Sequence, residues 1–149
     1  MEIRIANEKD IDTLMDIRLT MLRQVNGMAD SDTFSEELTG HSRRYFQKGD
    51  QTTAIALEDG KPVACASISY IEIMPTFDHP TGRRAHLMNV YTDPAFRRRG
   101  IAQELCELLI DDAKKKGATE ISLDATESGR PLYEALGFRA SSECMVMTL

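Results

Sequence analysis

A length of 149 residues predicts a single domain over residues 1–149, and 42% apolar with 28% charged residues is the composition of a soluble globular protein. No apolar run approaches the roughly 18 residues that a membrane span needs, and the net charge of −6 disfavours nucleic acid and membranes as partners, so an anionic ligand must meet a local basic feature. The three cysteines, Cys65, Cys106 and Cys144, lie far apart without metal-ligand spacing, which predicts reduced thiols, no metal and a cytoplasmic location.

The order of elements follows from hydrophobic periodicity and turn residues. Ile3 and Ile5 alternate with charged residues, which predicts a first strand. Asn7 is typical of a helix N-cap, and apolar residues at helical spacing predict a helix over residues 9–24, followed by a second helix over 35–47. The remaining elements are predicted in the order strand, strand, strand, helix, strand, helix, strand, over residues 52–57, 63–73, 85–92, 101–116, 120–125, 131–136 and 145–149.

The connections between these elements predict the sheet. Residues 58–62 have the composition of a hairpin turn, so the strands on either side should be antiparallel neighbours. Strand 85–92, the helix that follows it and strand 120–125 should form a right-handed crossover, which makes these two strands parallel. The predicted fold class is therefore α/β, with a mixed central sheet flanked by helices.

Three arginines and a glycine, Arg97, Arg98, Arg99 and Gly100, stand where the long helix begins. The first turn of a helix has unpaired N–H groups and the positive end of the helix dipole, so a phosphate gains several hydrogen bonds there. Gly100 lets the backbone approach closely, and guanidinium groups at this end cost about 0.3–1 kcal/mol each unless an anion is bound. The pattern predicts a pyrophosphate-binding turn. A dinucleotide-binding fingerprint is disfavoured because no G-x-G-x-x-G follows the first strand.

These residues give the sequence a resemblance to the GCN5-related N-acetyltransferase (GNAT) superfamily. The family signature R/Q-x-x-G-x-G/A is matched by residues 97–102, and residues 89–94 lead into it as in that family. Residues 131–138 match a later L-Y-x-x-x-G-F element, and the order of elements fits over essentially the whole chain. The resemblance implies a GNAT-like mixed sheet whose fourth and fifth strands are parallel and splayed apart.

The chemistry that the resemblance implies is transfer of an acetyl group from acetyl-CoA, as co-substrate, to a primary amine that attacks directly. The pantetheine arm would lie between the splayed strands, where a backbone amide would polarise the thioester carbonyl. Tyr133 would be the catalytic residue, because a phenol with a reference pKa of about 10 can protonate a departing thiolate of similar basicity. The residues that would bind acetyl-CoA are Val90, Tyr91, Thr92, Arg97, Arg98, Arg99, Gly100, Ile101, Ala102 and Gln103.

Several assignments stay open at this point. Many family members have an asparagine where this sequence has Thr126, so that contact is not carried over. The loops 27–37 and 74–84 are expected to shape the acceptor site. The acceptor amine, on a small molecule or a protein, and the presence of a homodimer are undecided, and a non-catalytic CoA-binding module with a sensory or regulatory role is the alternative function. The candidates for the general base are Glu72, His79, His86 and Asp124.

Overall fold

The computed structural model describes residues 1–149 and contains one five-stranded sheet with four α-helices. The strands are β1 (Glu2–Ile5), β2 (Gln51–Glu58), β3 (Lys61–Glu72), β4 (Arg83–Thr92) and β5 (Ile121–Ser122), and the helices are α1 (Ile11–Val25), α2 (Glu36–Lys48), α3 (Ile101–Lys115) and α4 (Arg130–Ala135). The strands lie in chain order, with antiparallel pairing from β1 to β4 and parallel pairing between β4 and β5. This arrangement confirms the predicted mixed sheet with a parallel fourth and fifth strand.

Helices cover both faces of the sheet, and each face has its own core. Ala54 and Ala56 of β2 pack in the core that contains Leu105 and Leu109 of α3. Ile55, between the two alanines, points to the opposite core with residues of α1 and α2. Because helices cover both faces of the sheet, β2 and β3 have runs of consecutive buried residues instead of alternating buried and exposed ones. None of the helices combines the length and the apolar composition needed to cross a membrane.

The helix starts follow the capping residues read from the sequence. Asn7 forms a capping box with Asp10, but the capped element is a single 3-10 turn over Glu8–Asp10, so α1 begins at Ile11 instead of residue 9. The side chain of Ser35 accepts a hydrogen bond from the backbone N–H of Leu38 at 3.1 Å and caps α2.

The predicted closing strand over residues 145–149 is wrong. No strand forms after α4, and the side chains of Met145, Val146, Met147 and Leu149 are exposed. The predicted strand 120–125 is also shorter than expected, since only Ile121–Ser122 pairs with β4. A strand forms only where another strand pairs with its backbone N–H and C=O groups. Apolar residues with high β propensity favour an extended backbone, but they do not determine whether a pairing strand lies beside it.

A bulge in β4 changes which side chains face each core. Cys65 of β3 pairs with Tyr91, whereas Ser67 pairs with Met88, so β4 has one extra residue between these pairs. Asn89 lies in this bulge with a left-handed φ of 57°. As a result, the side chain of Asn89 points to the α1 side of the sheet, where it contacts Arg18.

Candidate functional site

The chain reverses direction between β4 and α3 in a turn with two left-handed residues. Asp93 caps a short 3-10 turn over Pro94–Phe96 by accepting a hydrogen bond from the N–H of Ala95 at 2.9 Å. Arg98 and Gly100 then adopt φ values of 67° and 77°. Such φ values are strained for a residue with a Cβ, so Arg98 is held in this conformation by the surrounding turn.

The N-terminus of α3 offers free hydrogen-bond donors. Gly100 is its N-cap residue and provides no side-chain acceptor, so the N–H groups of Ile101, Ala102 and Gln103 have no partner within the chain. A Cβ placed on Gly100 would meet no heavy atom within 4 Å, which shows that the space in front of this backbone is open. A helix end with free N–H donors that face open space can bind an anion.

The arginines of the turn are anchored to backbone atoms and not to carboxylates. The Nε of Arg97 donates to the carbonyl of Thr92 at 3.0 Å, and the Nη2 of Arg99 donates to the carbonyl of Ala95 at 3.4 Å. The Arg99 guanidinium also lies 5.0 Å from the centroid of the Phe96 ring. Since neither guanidinium has an ion-pair partner, their positive charge is available to a ligand beside the free N–H groups.

β4 and β5 diverge shortly after they pair. Their register contains only Ala85 with Ile121 and His86 with Ser122. The edge of β4 over residues 87–92 therefore has no strand beside it on the β5 side, and its backbone groups can pair with an extended ligand. The predicted contacts of Val90, Tyr91 and Thr92 lie on this edge, and the Tyr91 side chain is buried in the α1 and α2 core, which leaves its backbone as the accessible part.

Tyr133 lies on α4 and packs against the core on the α3 side. Its ring makes an edge-to-face contact with Phe138 at a centroid distance of 6.1 Å, and its hydroxyl has no hydrogen-bond partner within the chain. Burial, with a smaller contribution from Cys106, raises the pKa of Tyr133 above its usual 10. The phenol is thus protonated at neutral pH and free to donate its proton.

The turn before α4 holds the Tyr133 ring in place. The Thr126 hydroxyl accepts a hydrogen bond from the N–H of Gly129 at 3.2 Å and lies 3.2 Å from the Ser128 hydroxyl, so Thr126 stabilises this turn. A Cβ on Gly129 would lie 3.0 Å from the Cε2 atom of Tyr133, so the ring packs closely on the backbone and would have to shift if a Cβ were present. Gly129 could not be identified from the sequence, because this contact depends on the tertiary position of the ring.

Of the four candidates for the general base, His86 has the most suitable position. It pairs with Ser69 of β3, and the side chains of paired residues lie on the same face of the sheet. Because the Ser69 hydroxyl lies 2.8 Å from the Tyr45 hydroxyl of α2, His86 faces the α1 and α2 side of the sheet. The Nδ1 of His86 lies 2.7 Å from the Ser122 hydroxyl and its Nε2 lies 3.7 Å from Asp124, which is itself fully exposed.

The other two candidates lie beyond His86, at the end of the sheet where β4 begins. Glu72 ends β3 as an exposed carboxylate 3.8 Å from Arg83. The Nδ1 of His79 lies 2.8 Å from the hydroxyl of Thr119, in the segment that follows the C-terminus of α3. Neither residue is near the edge of β4 that lacks a neighbouring strand.

A cleft of about 220 Å³ lies between α1, α2 and the bulge of β4. Its walls combine apolar and polar side chains, which are Arg18, Leu38, His41, Ser42, Tyr45, Phe46, Met88 and Asn89. The loops 27–37 and 74–84, which were expected to shape an acceptor site, do not line this cleft.

Comparison with known proteins adds evidence about relatedness. Residues 15–138 match the model of the Acetyltransferase (GNAT) family. A glucosamine 6-phosphate N-acetyltransferase of Trypanosoma brucei brucei is 27% identical over 152 residues, an alignment that covers all of this chain and 96% of that protein. A ribosomal protein bS18-alanine N-acetyltransferase of Escherichia coli strain K12 is 36% identical over 61 residues, which is 39% of this chain and 41% of that protein.

Solved structures agree with the sequence matches. The crystal structure of a predicted acetyltransferase with acetyl-CoA from Clostridium acetobutylicum superposes with a TM-score of 0.85 at 31% identity, covering 99% of this chain and 95% of that one. A GCN5-related N-acetyltransferase from Ralstonia eutropha JMP134 gives a TM-score of 0.80 at 26% identity, covering 99% and 97% of the two chains. The fold is thus shared along nearly the whole length of these proteins.

Proposed function

Because the chain belongs to the Acetyltransferase (GNAT) family, we propose that it transfers the acetyl group of acetyl-CoA to a primary amine, with Tyr133 as the general acid. Membership in this family makes the chain an acyl-CoA-dependent N-acetyltransferase. The roles of individual residues rest on the geometry described above. The observation that supports these roles best is the turn at Gly100. There the first N–H groups of α3 have no acceptor within the chain, and they lie beside the edge of β4 that has no neighbouring strand.

In this proposal acetyl-CoA binds along the edge of β4 and across the turn. Its pyrophosphate would accept hydrogen bonds from the first-turn N–H groups of α3, with charge supplied by the arginines at 97–99. Its pantetheine arm would pair with the backbone of Val90, Tyr91 and Thr92. The residues present fit this ligand. The amide groups of the pantetheine arm need free backbone partners, which the edge of β4 offers, and the pyrophosphate needs several hydrogen-bond donors close together, which the turn before α3 offers. Residues 1–149 would act as one catalytic domain.

Tyr133 and His86 would divide the proton transfers. The amine attacks the thioester carbonyl carbon, a C–N bond forms, and the C–S bond breaks with its electron pair going to sulfur. Tyr133 would give its proton to that thiolate, a role that its free hydroxyl supports, and its raised pKa keeps the phenol protonated at neutral pH. His86 would accept the proton that the amine loses, through water, because it lies where β4 and β5 begin to diverge.

For the acceptor, we favour a small molecule over a protein terminus. One relative that aligns in sequence along the full chain is named for a small phosphorylated amino sugar, whereas the sequence alignment with the protein N-acetyltransferase of Escherichia coli covers 61 residues. The non-catalytic alternative is disfavoured by Tyr133, whose free hydroxyl has no structural partner to explain it. We also propose a cytoplasmic homodimer, supported by the buried thiols Cys65 and Cys106 and by the exposed apolar side chains over residues 145–149.

Two measurements test this function. Acetyl-CoA or CoA should raise the apparent stability by about 2.7 kcal/mol at a hundredfold excess over its dissociation constant, because it binds only the folded chain. Release of free thiol with a panel of primary amines should then show turnover. A melting temperature that CoA leaves unchanged, together with no heat of CoA binding, would contradict the proposed function. CoA binding without thiol release for any amine would instead support the non-catalytic module.

A further inference from the structure

Arg18 of α1 lines the cleft at the bulge of β4 and has no acidic partner. From this position we infer that the acceptor amine carries an oxyanion, a carboxylate or a phosphate, and that the Arg18 guanidinium binds it. The inference rests on the proposed function and names the class of amine that the acetyltransferase accepts.

Arg18 has no carboxylate partner, although the chain has more acidic than basic residues. The sequence has 24 acidic residues against 18 basic ones, and several arginines find a carboxylate within 3.3 Å, namely Arg4, Arg43, Arg83 and Arg84. Arg18 is partly buried, yet no ion pair includes it. Its Nη1 donates a hydrogen bond to the Asn89 side-chain oxygen at 3.2 Å.

An unpaired, partly buried guanidinium is costly to the free protein. Burial lowers the pKa of Arg18, which reflects the loss of hydration around its charge. A guanidinium has five N–H donors in a planar fork, and the Asn89 bond uses one of them. The donors that remain fit the two oxygens of a carboxylate or phosphate, and an anion in the cleft would remove the electrostatic cost.

The surroundings of Arg18 connect the cleft to the proposed reaction centre. Asn89 is held by a hydrogen bond from its amide nitrogen to the Ser67 hydroxyl at 3.3 Å, and it fixes the position of Arg18 in turn. The next residue along β4 is Val90, the first of the backbone edge proposed to bind the pantetheine arm. An anion on Arg18 would therefore place the rest of the acceptor beside the thioester.

The cleft also limits the size and nature of the acceptor. Its volume of about 220 Å³ lies below the roughly 300–1,000 Å³ of pockets for drug-sized ligands, which suits a small amine. Leu38, Phe46 and Met88 provide apolar walls for a carbon skeleton. The charge of Arg18 then supplies the specificity, because it favours an anionic acceptor over its neutral counterpart.

The test compares amines that differ only in the anionic group. We would assay glucosamine 6-phosphate against glucosamine and phosphoethanolamine against ethanolamine for the phosphate arm, and tyrosine against tyramine and histidine against histamine for the carboxylate arm. The anionic member of at least one pair should have a kcat/KM at least about tenfold higher, as expected for a charge pair in a partly desolvated site. The arm that responds identifies which oxyanion is bound.

Variants of Arg18 separate recognition from structural support. Arg18→Met should raise KM for the anionic member by about tenfold or more and change KM for the neutral member by less than about threefold. Its melting temperature should be equal to or above that of the parent, because an unpaired charge is removed. Arg18→Lys should retain part of the preference, since lysine keeps the charge without the fork. The control is Arg43→Met, which removes an exposed arginine paired with Asp12 at 2.8 Å and should leave both KM values unchanged.

Equal transfer to both members of every pair, or equal losses for both members in Arg18→Met, would overturn the inference while leaving acetyl transfer intact. Failure to bind CoA would instead overturn the proposed function. If no amine of the panel turns over, calorimetric binding of each pair to the CoA complex decides, and binding without preference for the anionic member overturns the inference.

Discussion

At its C-terminal end α3 is joined to the sheet by a closed network, whereas at its N-terminal end it leaves its donors free. The Asp112 carboxylate accepts hydrogen bonds from the Thr52 hydroxyl at 2.7 Å and the Tyr70 hydroxyl at 2.6 Å. Lys116 donates to Thr52 at 2.7 Å and lies 3.2 Å from Asp112. The Nε of Arg83 donates to the backbone carbonyl of Lys116 at 3.0 Å. Each of these polar groups is paired within the chain.

The N-terminal half of the same helix presents the opposite situation. Gly100 has no side chain to cap the first N–H groups of α3, and the arginines before it have no carboxylate partner. Tyr133 packs near Cys106, and its hydroxyl has no hydrogen-bond partner. Charged and polar groups are thus present at both ends, and only their partners differ. Groups that the chain satisfies contribute to stability, while groups that it leaves unsatisfied beside open space indicate a ligand site.

The largest expected effect comes from a pair of tyrosines that lie at the two ends. Tyr133→Phe should lower the single-turnover rate of acetyl transfer by about 10²–10⁴-fold, because the proton donor is lost, and should leave the melting temperature and CoA affinity nearly unchanged. Tyr70→Phe should leave the rate unchanged and lower the free energy of unfolding by about 1–3 kcal/mol, because Asp112 loses a hydrogen bond. An unchanged single-turnover rate in folded Tyr133→Phe would leave Tyr133 with a packing role.

A second effect uses the glycines that flank α3. Gly100 and Gly117 have φ values of 77° and 78°, and a Cβ on either meets nothing within 4 Å. Alanine at each position should therefore cost a similar 1–2 kcal/mol of stability, roughly the penalty of a left-handed residue with a Cβ. Only Gly100→Ala should also weaken CoA binding, by about tenfold or more, because its Cβ enters the space of the pyrophosphate. Equal CoA affinity of the two variants by calorimetry would show that the Gly100 turn does not bind this group.

The smallest effect concerns the pH dependence of the closed network. Burial raises the pKa of Asp112, but hydrogen bonds from Tyr70, Thr52 and Lys116 outweigh it and hold the pKa below its usual 3.8. The ionised carboxylate therefore stabilises the fold above the unfolded value, and this contribution is lost as pH falls through the lower folded pKa. Asp112→Asn should cost about 1–2 kcal/mol at pH 7, and the difference from the parent should shrink below roughly pH 4 in urea unfolding.

The matched control for that series is the exposed Asp12, which pairs with Arg43 at the surface. Asp12→Asn should change stability by less than about 1 kcal/mol at either pH, since solvent screens the pair. A loss at Asp12 as large as that at Asp112 would mean that general charge, and not the closed network, determines the acid sensitivity.

Much of the fold could be predicted from local patterns. The capping residues Asn7 and Ser35, the hairpin between β2 and β3 and the apolar stripe of α3 each act through neighbouring residues, and the structure contains all of them. The strand predicted at residues 145–149 failed because pairing depends on a partner that the local sequence does not specify. For the same reason β5 spans fewer residues than the strand that was predicted over 120–125.

The turn before α3 could be predicted from local sequence, since the glycine and arginines there act through the helix N-terminus that follows them, and the resemblance to a family singled out Tyr133. Three other features became visible in the folded chain alone: the bulge at Asn89 directs its side chain toward Arg18, the Tyr133 ring packs on Gly129, and Asp112 is paired at the far end of the helix. These contacts join residues distant in sequence, and whether a polar group is satisfied depends on which distant partners folding brings to it.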